Sequence, residues 1–171
     1  MGIEVRAALE EDPGLLAQAF KGSGPGSLEQ RLASQLAQHR EGRRVFLVGR
    51  VDGALAGYGS LVWQPDYPPF RERGIPEVQD LNVAPQFRRR GVASRILDEA
   101  ERFASQRSAS VGIAFGLHPG YRAAQRLYVL RGYVLDGHGV FRSGRFPREG
   151  ELVMLDDELI LHLTKELAHS G

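Results

Sequence analysis

The sequence predicts a mixed α/β fold built around one sheet of about seven strands, with helices on its faces. Apolar segments with the two-residue period of strands alternate along the chain with segments that have the 3.6-residue period of helices. Their order is a strand, two helices, three or four strands, a helix, a strand, a helix and two final strands. The 171 residues, 42% of them hydrophobic, suit a single domain over residues 1–171 with its own core.

Composition and charge narrow the function classes. The 22 Lys and Arg residues nearly balance 21 Asp and Glu, for a formal net charge of +1. No overall field then draws the protein to nucleic acid or to an anionic membrane, and any phosphate binding must be local. The absence of cysteine removes disulfides, thiolate metal sites and a cysteine nucleophile, and it suits the cytoplasm. We therefore expect a cytoplasmic protein without a membrane partner, and no segment approaches the length of a membrane span.

The first part of the chain predicts one strand, two helices and a β-hairpin. Asp12 precedes Pro13, a pair typical of an N-cap and the first helical residue, and Ser27 can cap the next helix. Asp52-Gly53 favours the tight turn of a hairpin between two apolar runs. The expected elements are a strand over 3–8, helices after Asp12 and after Ser27 with a hinge-like loop over 21–27 between them, and strands over 44–51 and 54–63.

Residues 64–76 contain four prolines and are expected to form a surface loop rather than sheet. Loops on a rigid scaffold often bind substrates. Trp63, Tyr67 and Phe70 lie in or beside this loop. Their aromatic side chains are candidates for lining a substrate pocket, and ordinary anchoring of the loop is an equally good interpretation.

The strand over residues 77–83 breaks its apolar alternation at Gln79 and Asp80. A β-bulge explains the break, and so does a strand that begins later. The elements that follow are a helix from Val92 with a regular apolar stripe, a strand over 110–117, a helix entered near Pro119 and ended by Gly132, and strands over 133–140 and 158–164.

One face of the strand over 110–117 is almost bare of side chains. Gly112, Ala114 and Gly116 alternate there with larger apolar residues. Because such a strand has little bulk on that face, another group can approach its backbone closely.

A phosphate site is predicted where three arginines meet the start of the helix from Val92. The spacing R-x-x-G-x-A, from Arg88 to Ala93, follows a strand and opens a helix. The first N–H groups of a helix lack intrahelical partners, and the helix dipole adds partial positive charge there. Small residues let a diphosphate reach those groups. The predicted cradle consists of Arg88, Arg89, Arg90, Gly91, Val92, Ala93 and Ser94.

The stretch LNVAPQFRRRGVASRIL, together with AAQRLYVLRGY from Ala123 to Tyr133, resembles the two signature motifs of the GNAT superfamily of N-acetyltransferases. The second stretch is similar to the family pattern A-x-x-L-Y-x-x-x-G-F. The resemblance implies acetyl-CoA as co-substrate and a mostly antiparallel sheet, with a splay between its fourth and fifth strands that admits the cofactor. Dimers are common in the superfamily, so a homodimer is a further expectation.

The resemblance also implies which residues contact acetyl-CoA. The backbone of Leu81, Asn82 and Val83 would pair with the pantetheine arm, and the cradle from Arg88 to Ser94 would hold the pyrophosphate. Further cofactor contacts are expected from Ala124, the motif alanine, from Tyr128, and from Tyr121, which stands where the family often has asparagine.

Acetyl transfer to an amine needs a proton acceptor for the amine and a proton donor for the leaving thiolate. Tyr128 is the candidate acid, because the motif places it beside the cofactor's thiol; a half-buried tyrosine that caps a backbone group is the alternative. The resemblance makes Glu77 the candidate base, because it matches the place where some family members keep a glutamate base; a solvated carboxylate at the strand end is the alternative. Asp80 is the second candidate base, and its alternative is a bulge residue bonded to its own backbone. A backbone N–H near Val83 would stabilise the oxyanion. His118 is a weaker candidate relay and more typical of a turn.

The acceptor is expected to be a small-molecule or peptide amine, and no metal site is expected. Two other functions stay open. One is an acetyl-CoA-binding domain without transfer activity. The other is a nucleic-acid module that uses Arg88 to Arg90 with Arg43, Arg44 or residues 142–148 as a basic stripe, although the balanced charge argues against a nucleic-acid partner.

Overall fold

The computed structural model describes residues 1–20 and 27–168. Its strands are β1 (Ile3–Ala7), β2 (Arg44–Val51), β3 (Ala54–Val62), β4 (Glu77–Val83), β5 (Ser110–Gly116), β6 (Val134–Leu135) and β7 (Ile160–Glu166). Its helices are α1 (Asp12–Ala19), α2 (Leu28–Arg40), α3 (Pro68–Arg73), α4 (Val92–Ser105) and α5 (Arg122–Leu130). The strands form one seven-stranded sheet in the order β1-β2-β3-β4-β5-β7-β6. The predicted mixed fold around one sheet of about seven strands is confirmed.

The splay between the fourth and fifth strands is also confirmed. β4 and β5 are parallel, and they pair only through Glu77 with Gly112 and Val78 with Ile113 within the described residues. Every other pairing between neighbouring strands is antiparallel. The strands β4 and β5 therefore separate after two residue pairs, which opens the centre of the sheet towards their carboxyl ends.

The predicted bulge lies in β4. The register of β4 against β3 shifts between Tyr58 and Ser60, so that Asp80 and Leu81 together lie opposite one residue of β3. Asp80 has a φ of 55°, in the left-handed region that few residues other than glycine and asparagine or aspartate adopt. Because β4 begins at Glu77, the alternative of a strand that starts later is wrong.

The N-terminal helices follow the prediction with one correction. Asp12 does not cap α1 but lies inside it, fully buried. Burial raises the pKa of Asp12, but hydrogen bonds from Arg6 at 2.6 Å and from the Leu9 N–H at 2.7 Å outweigh it and hold the pKa below its usual value. Ser27 caps α2 as predicted, since its Oγ accepts from the Gln30 N–H at 3.3 Å. Residues 21–26 of the predicted hinge-like loop lie outside the described residues.

Two segments differ from the prediction. Residues 64–76 are not an open loop, because α3 forms within them and buries Tyr67 and Phe70. Proline is compatible with the first turn of a helix, where its missing N–H has no partner to lose. The strand expected over 133–140 shrinks to the two residues of β6. The final strand begins at Ile160, two residues later than expected.

Helix α4 packs against the sheet, and this packing positions the end of the phosphate cradle, where α4 begins. A Cβ at Gly57 would lie 2.7 Å from the carbonyl oxygen of Asn82 and 3.1 Å from Val92 Cγ1. Glycine is therefore required where β3 pairs with the end of β4 beneath the first turn of α4. This close packing holds the N-terminus of α4 beside the end of β4.

Candidate active site

A cavity of about 760 Å³, here named the turn cavity, lies beside the end of β4 and the N-terminal ends of α4 and α5. All but one of the residues predicted to contact the cofactor line it: Leu81, Asn82, Val83, Arg88, Arg89, Gly91, Val92, Ala93, Ser94, Tyr121, Ala124 and Tyr128. Arg90 is the exception, with its guanidinium 5.8 Å from the centroid of the Phe87 ring. Twelve of the thirteen residues predicted from the sequence therefore lie in the wall of this cavity.

The geometry of the turn before α4 suits an anion. Arg89 and Gly91 have φ of 58° and 88°, and a left-handed residue followed by a right-handed one, as Gly91 is followed by the first residue of α4, makes consecutive N–H groups converge in an anion-binding nest. The first N–H groups of α4 add to this field. Arg88 Nε donates to the carbonyl oxygen of Val83 at 3.3 Å, which ties the turn to β4. These residues fit the pyrophosphate of coenzyme A.

A second cavity of about 490 Å³, here named the bulge cavity, lies between the separated ends of β4 and β5. Its walls include Asp66, Tyr67, Glu77, Gln79, Asp80, Phe115, Phe141, Ile160 and His162. Five residues line both cavities: Leu81, Asn82, Tyr121, Ala124 and Tyr128. The two cavities therefore meet at the splay, between β4 and α5.

Tyr128 lies at this junction and is only 6% exposed. Burial, with a smaller effect of Tyr121, raises the pKa of Tyr128 to about 12. Among the described residues, no hydrogen bond to the hydroxyl contributes to that shift. A phenol in this state keeps its proton at neutral pH, so it can donate a hydrogen bond or a proton to a group at the junction.

Glu77 is a buried carboxylate of the bulge cavity rather than a solvated strand end. It is 5% exposed, and burial raises its pKa to about 7. Gln79 Nε2 donates to Glu77 Oε2 at 2.9 Å, which opposes the shift, and Glu77 Oε1 lies 3.5 Å from His162 Nε2. A carboxyl that is half ionised near neutral pH has the pKa that a general base needs.

Asp80 lines the same cavity, but its carboxylate is engaged on the side of α2. Its Oδ2 accepts from Gln35 Nε2 at 2.9 Å and lies 4.0 Å from Arg44 Nη1. Its carbonyl oxygen accepts from Asn82 Nδ2 at 3.0 Å. Asp80 is thus better placed to hold the bulge against α2 than to accept a substrate proton.

A residue to which the sequence analysis assigned no role is His162, which is 2% exposed in the wall of the bulge cavity. Its ring stacks on Tyr67, with centroids 3.4 Å apart and 3° between the planes. Tyr67 in turn donates from its hydroxyl to Asp136 Oδ2 at 2.6 Å. Burial lowers the pKa of His162 to about 4. The available signal was a histidine at an apolar position of the last strand, which pairs with the small Ala114 of β5.

The nearly bare face of β5 is covered by two aromatic rings of the protein itself. A Cβ on Gly112 would lie 2.2 Å from the Phe70 ring, and one on Gly116 would lie 2.3 Å from the Tyr121 ring. Of the three small residues on this face, Ala114 and Gly116 line the bulge cavity, and Gly112 does not. Tyr121, the departure from the family pattern, thereby forms a wall shared by both cavities.

The remaining candidates lie away from the junction. Trp63 stacks with Arg107, whose guanidinium is 4.1 Å from the indole centroid. His118 behaves as the turn residue: its Nδ1 accepts from the Gly120 N–H at 3.0 Å, and its Nε2 lies 2.6 Å from Asp157 Oδ1.

Three basic residues of the nucleic-acid stripe are paired with acids. Arg142 contacts Asp156 at 2.6 Å and Arg145 pairs with Glu151. Arg43 Nε donates to Glu41 at 2.6 Å. In residues 1–20 and 27–168, no helix is long and apolar enough to cross a membrane, and no cluster of His, Asp or Glu side chains suits a metal ion.

Solved structures of low sequence identity share the fold. A GNAT-family protein from Desulfovibrio desulfuricans superposes with a TM-score of 0.73 at 17% identity, covering 98% of this chain and 100% of its own. The ribosomal-protein-S18-alanine N-acetyltransferase of Escherichia coli has a TM-score of 0.68 at 15% identity, covering 99% and 97%. The Salmonella typhimurium protein yncA, solved with its cofactor acetyl-CoA, has a TM-score of 0.65 at 17% identity, covering 100% and 98%.

No curated protein matches the chain. The model of the acetyltransferase (GNAT) family matches residues 14–133, a range that contains β4, the turn before α4, β5 and α5. It thus includes the splay and nearly all of the turn cavity. By this match over more than half of its length, the chain belongs to the GNAT acetyltransferase family.

Proposed function

We propose that the protein transfers an acetyl group from acetyl-CoA to a primary amine by direct attack within a ternary complex. The observation that carries the proposal is the meeting of the turn cavity and the bulge cavity at Tyr128. Two adjoining cavities let both substrates be bound at once, which replaces a bimolecular encounter by a held geometry. The chain has no cysteine for a thioester intermediate, which also favours direct transfer.

Acetyl-CoA is assigned to the turn cavity, where it supplies the thioester whose carbonyl carbon the amine attacks. The converging N–H groups around Arg89 and Gly91, with the side chain of Arg88, would hold its pyrophosphate. Backbone groups of β4 from Leu81 to Val83 would bind the pantetheine arm and donate a hydrogen bond to the carbonyl oxygen. The acetyl-CoA of the yncA structure supports acetyl-CoA as the co-substrate.

Glu77 is proposed as the general base and Tyr128 as the general acid. The amine binds mainly as an ammonium ion, and Glu77, directly or through water, accepts its proton before attack. As the C–N bond forms and the C–S bond breaks, Tyr128 donates a proton to the departing sulfur, since its pKa of about 12 keeps the phenol protonated. The phenol then regains a proton from the acetylated nitrogen, which loses its second proton as the amide forms. Asp80 is the less favoured base, because its carboxylate already accepts from Gln35.

The proposed acceptor is a small-molecule or peptide amine. The Escherichia coli neighbour takes its name from a ribosomal-protein alanine, but similarity at that identity concerns the fold. Cytoplasmic location, a single domain over 1–171 and a homodimer remain predictions.

Calorimetric titration with acetyl-CoA, with a duplex oligonucleotide in parallel, tests the proposal. We expect saturable binding of acetyl-CoA alone, followed by amine-dependent release of free thiol, which a chain without cysteine permits at low background. Binding of the oligonucleotide alone would contradict the proposal and favour the nucleic-acid module. Binding of acetyl-CoA without thiol release for any amine would instead indicate a domain that holds the cofactor without transfer.

A further inference from the structure

The bulge cavity carries a charge pattern that restricts the acceptor beyond the proposed function. Its acidic side chains are the carboxylates of Asp66, Glu77 and Asp80. His162 adds no positive charge at neutral pH, because burial lowers its pKa to about 4. Among the described residues, no Lys or Arg lines this cavity.

The basic residues near these acids lie outside the cavity walls. Arg71 Nη2 contacts Asp66 Oδ1 at 2.9 Å, and Arg44 Nη1 lies 4.0 Å from Asp80 Oδ2. Neither arginine is part of the cavity lining. A substrate anion in the cavity would therefore meet carboxylates without a guanidinium or ammonium donor on the wall.

The rest of the cavity is largely apolar and aromatic. Tyr67, Phe115, Phe141 and Ile160 form walls around the stacked ring of His162. The cavity volume of about 490 Å³ lies in the range of pockets for small molecules. Aromatic faces attract a cation and bury an apolar group, whereas they give nothing to a carboxylate.

The two cavities thus differ in charge. The turn cavity, where the phosphates of the cofactor are expected, is lined by Arg88 and Arg89 against one carboxylate, Asp157, whereas the bulge cavity is lined by carboxylates without a Lys or Arg among the described residues. We infer that the acceptor is a small primary amine with an apolar or aromatic body and with no carboxylate or phosphate group. This inference rests on the proposed function, because it concerns the acceptor amine that would occupy the bulge cavity beside Tyr128.

Matched pairs of amines test the inference. Each pair shares one side chain and differs by a carboxylate: 2-phenylethylamine with phenylalanine, tyramine with tyrosine, and isoamylamine with leucine. We expect kcat/KM to be roughly tenfold or more higher for the member without the carboxylate, since a like charge near Glu77 or Asp80 costs at least that factor. The preference runs against basicity, because α-amino groups of amino acids lose their proton more easily than alkyl amines.

Ile160→Lys provides the reciprocal test, with Ile160→Met as the uncharged control. Ile160 lines the bulge cavity and is only partly buried at the start of β7, so a lysine there can present its ammonium to the substrate. We expect Ile160→Lys to reduce the preference of each pair by roughly tenfold, and Ile160→Met to keep it. Acetyl-CoA affinity should be unchanged in both variants.

The outcomes separate the inference from the proposed function. Equal or faster acetylation of the carboxylate-bearing members by the unaltered protein overturns the inference and leaves the acetyltransferase proposal standing. An unchanged preference in Ile160→Lys, in a variant that binds acetyl-CoA normally, also overturns it, because the preference would then have a cause other than cavity charge. No acetylation of any amine overturns both.

Discussion

Glu77 Oε1 lies 3.5 Å from Nε2 of His162, so that side chains from β4 and β7, the two neighbours of β5 in the sheet, meet in the wall of the bulge cavity. Burial favours the neutral form of both groups. It raises the pKa of Glu77 to about 7 and lowers the pKa of His162 to about 4. At neutral pH the histidine is uncharged, and Glu77 is close to half ionised. This pair therefore provides a proton acceptor without a fixed positive charge beside the amine.

Glu77→Gln should lower turnover by about a hundredfold or more, the usual contribution of a general base. The amide cannot accept the amine proton, while its shape and its contact with Gln79 are kept. Acetyl-CoA affinity should be unchanged in calorimetry, because Glu77 lines the bulge cavity and not the turn cavity.

The pH dependence of kcat/KM provides a second measurement on Glu77→Gln. In the unaltered protein, activity should rise with pH through a midpoint near the pKa of Glu77, about 7, because only the carboxylate accepts a proton. The variant should lack this step and keep only the rise from the amine itself. Asp80→Asn serves as the control; if it loses the step and Glu77→Gln keeps it, Asp80 is the base.

Stability should also report the burial of Glu77. Its pKa is about 7 in the folded protein against 4.5 for the free side chain, so the unfolded chain releases this proton first as pH rises. The folded state therefore loses up to roughly 3 kcal/mol of relative stability between pH 4.5 and 7. The free energy of unfolding of Glu77→Gln, measured in urea relative to the unaltered protein, should therefore be more favourable to the variant at pH 8 than at pH 5. The same difference at both values would contradict the shifted pKa.

Arg89 and Arg90 are adjacent, but their surroundings predict different effects on cofactor binding. Arg89 lines the turn cavity, whereas Arg90 lies over the Phe87 ring. Arg89→Gln should weaken acetyl-CoA binding by about tenfold, as expected for losing a charged hydrogen bond to phosphate. Arg90→Gln is the matched control and should change the dissociation constant by less than about threefold. Equal losses in calorimetry would show that both arginines reach the phosphates.

Gly112 lies where the Phe70 ring covers β5, and an alanine there should destabilise the protein. Its Cβ would lie 2.2 Å from a ring atom of the buried Phe70, and overpacking of this kind costs about 1–3 kcal/mol. Gly14→Ala in α1 is the control, since within residues 1–20 and 27–168 its Cβ would meet only Glu29 Oε1 at 3.5 Å, and alanine favours a helix by about 0.5–1 kcal/mol. Urea unfolding should move in opposite directions for the two variants.

The sequence predicted well those features that local chemistry determines. The order of strands and helices follows from periodicity, the hairpin from Asp52-Gly53, and the phosphate cradle from small residues at a helix start. The bulge was visible because Gln79 and Asp80 interrupt an otherwise regular alternation. Each of these signals lies within a few residues of the feature that it predicts.

The features that the sequence missed depend on contacts between distant segments. Tyr67 and Phe70 become core residues because α3 folds back beneath β5, and His162 reaches the cavity through the pairing of β7 with β5. Arg90 has the same local pattern as Arg89, and only the position of Phe87 distinguishes them. Asp12 likewise resembles a cap until Arg6 approaches from the neighbouring strand.

In the proposed mechanism, Tyr128 donates a proton at the junction of the two cavities. Comparing Tyr128→Phe with the unaltered protein tests it most directly, with acetyl-CoA affinity measured by calorimetry and turnover by thiol release with an amine that the unaltered protein acetylates. The variant loses one hydroxyl and keeps the ring that packs near Phe115 and Tyr133. We predict unchanged acetyl-CoA affinity and turnover lower by about a hundredfold or more. Turnover within about threefold of the unaltered protein, with the cofactor still bound, would contradict the claim.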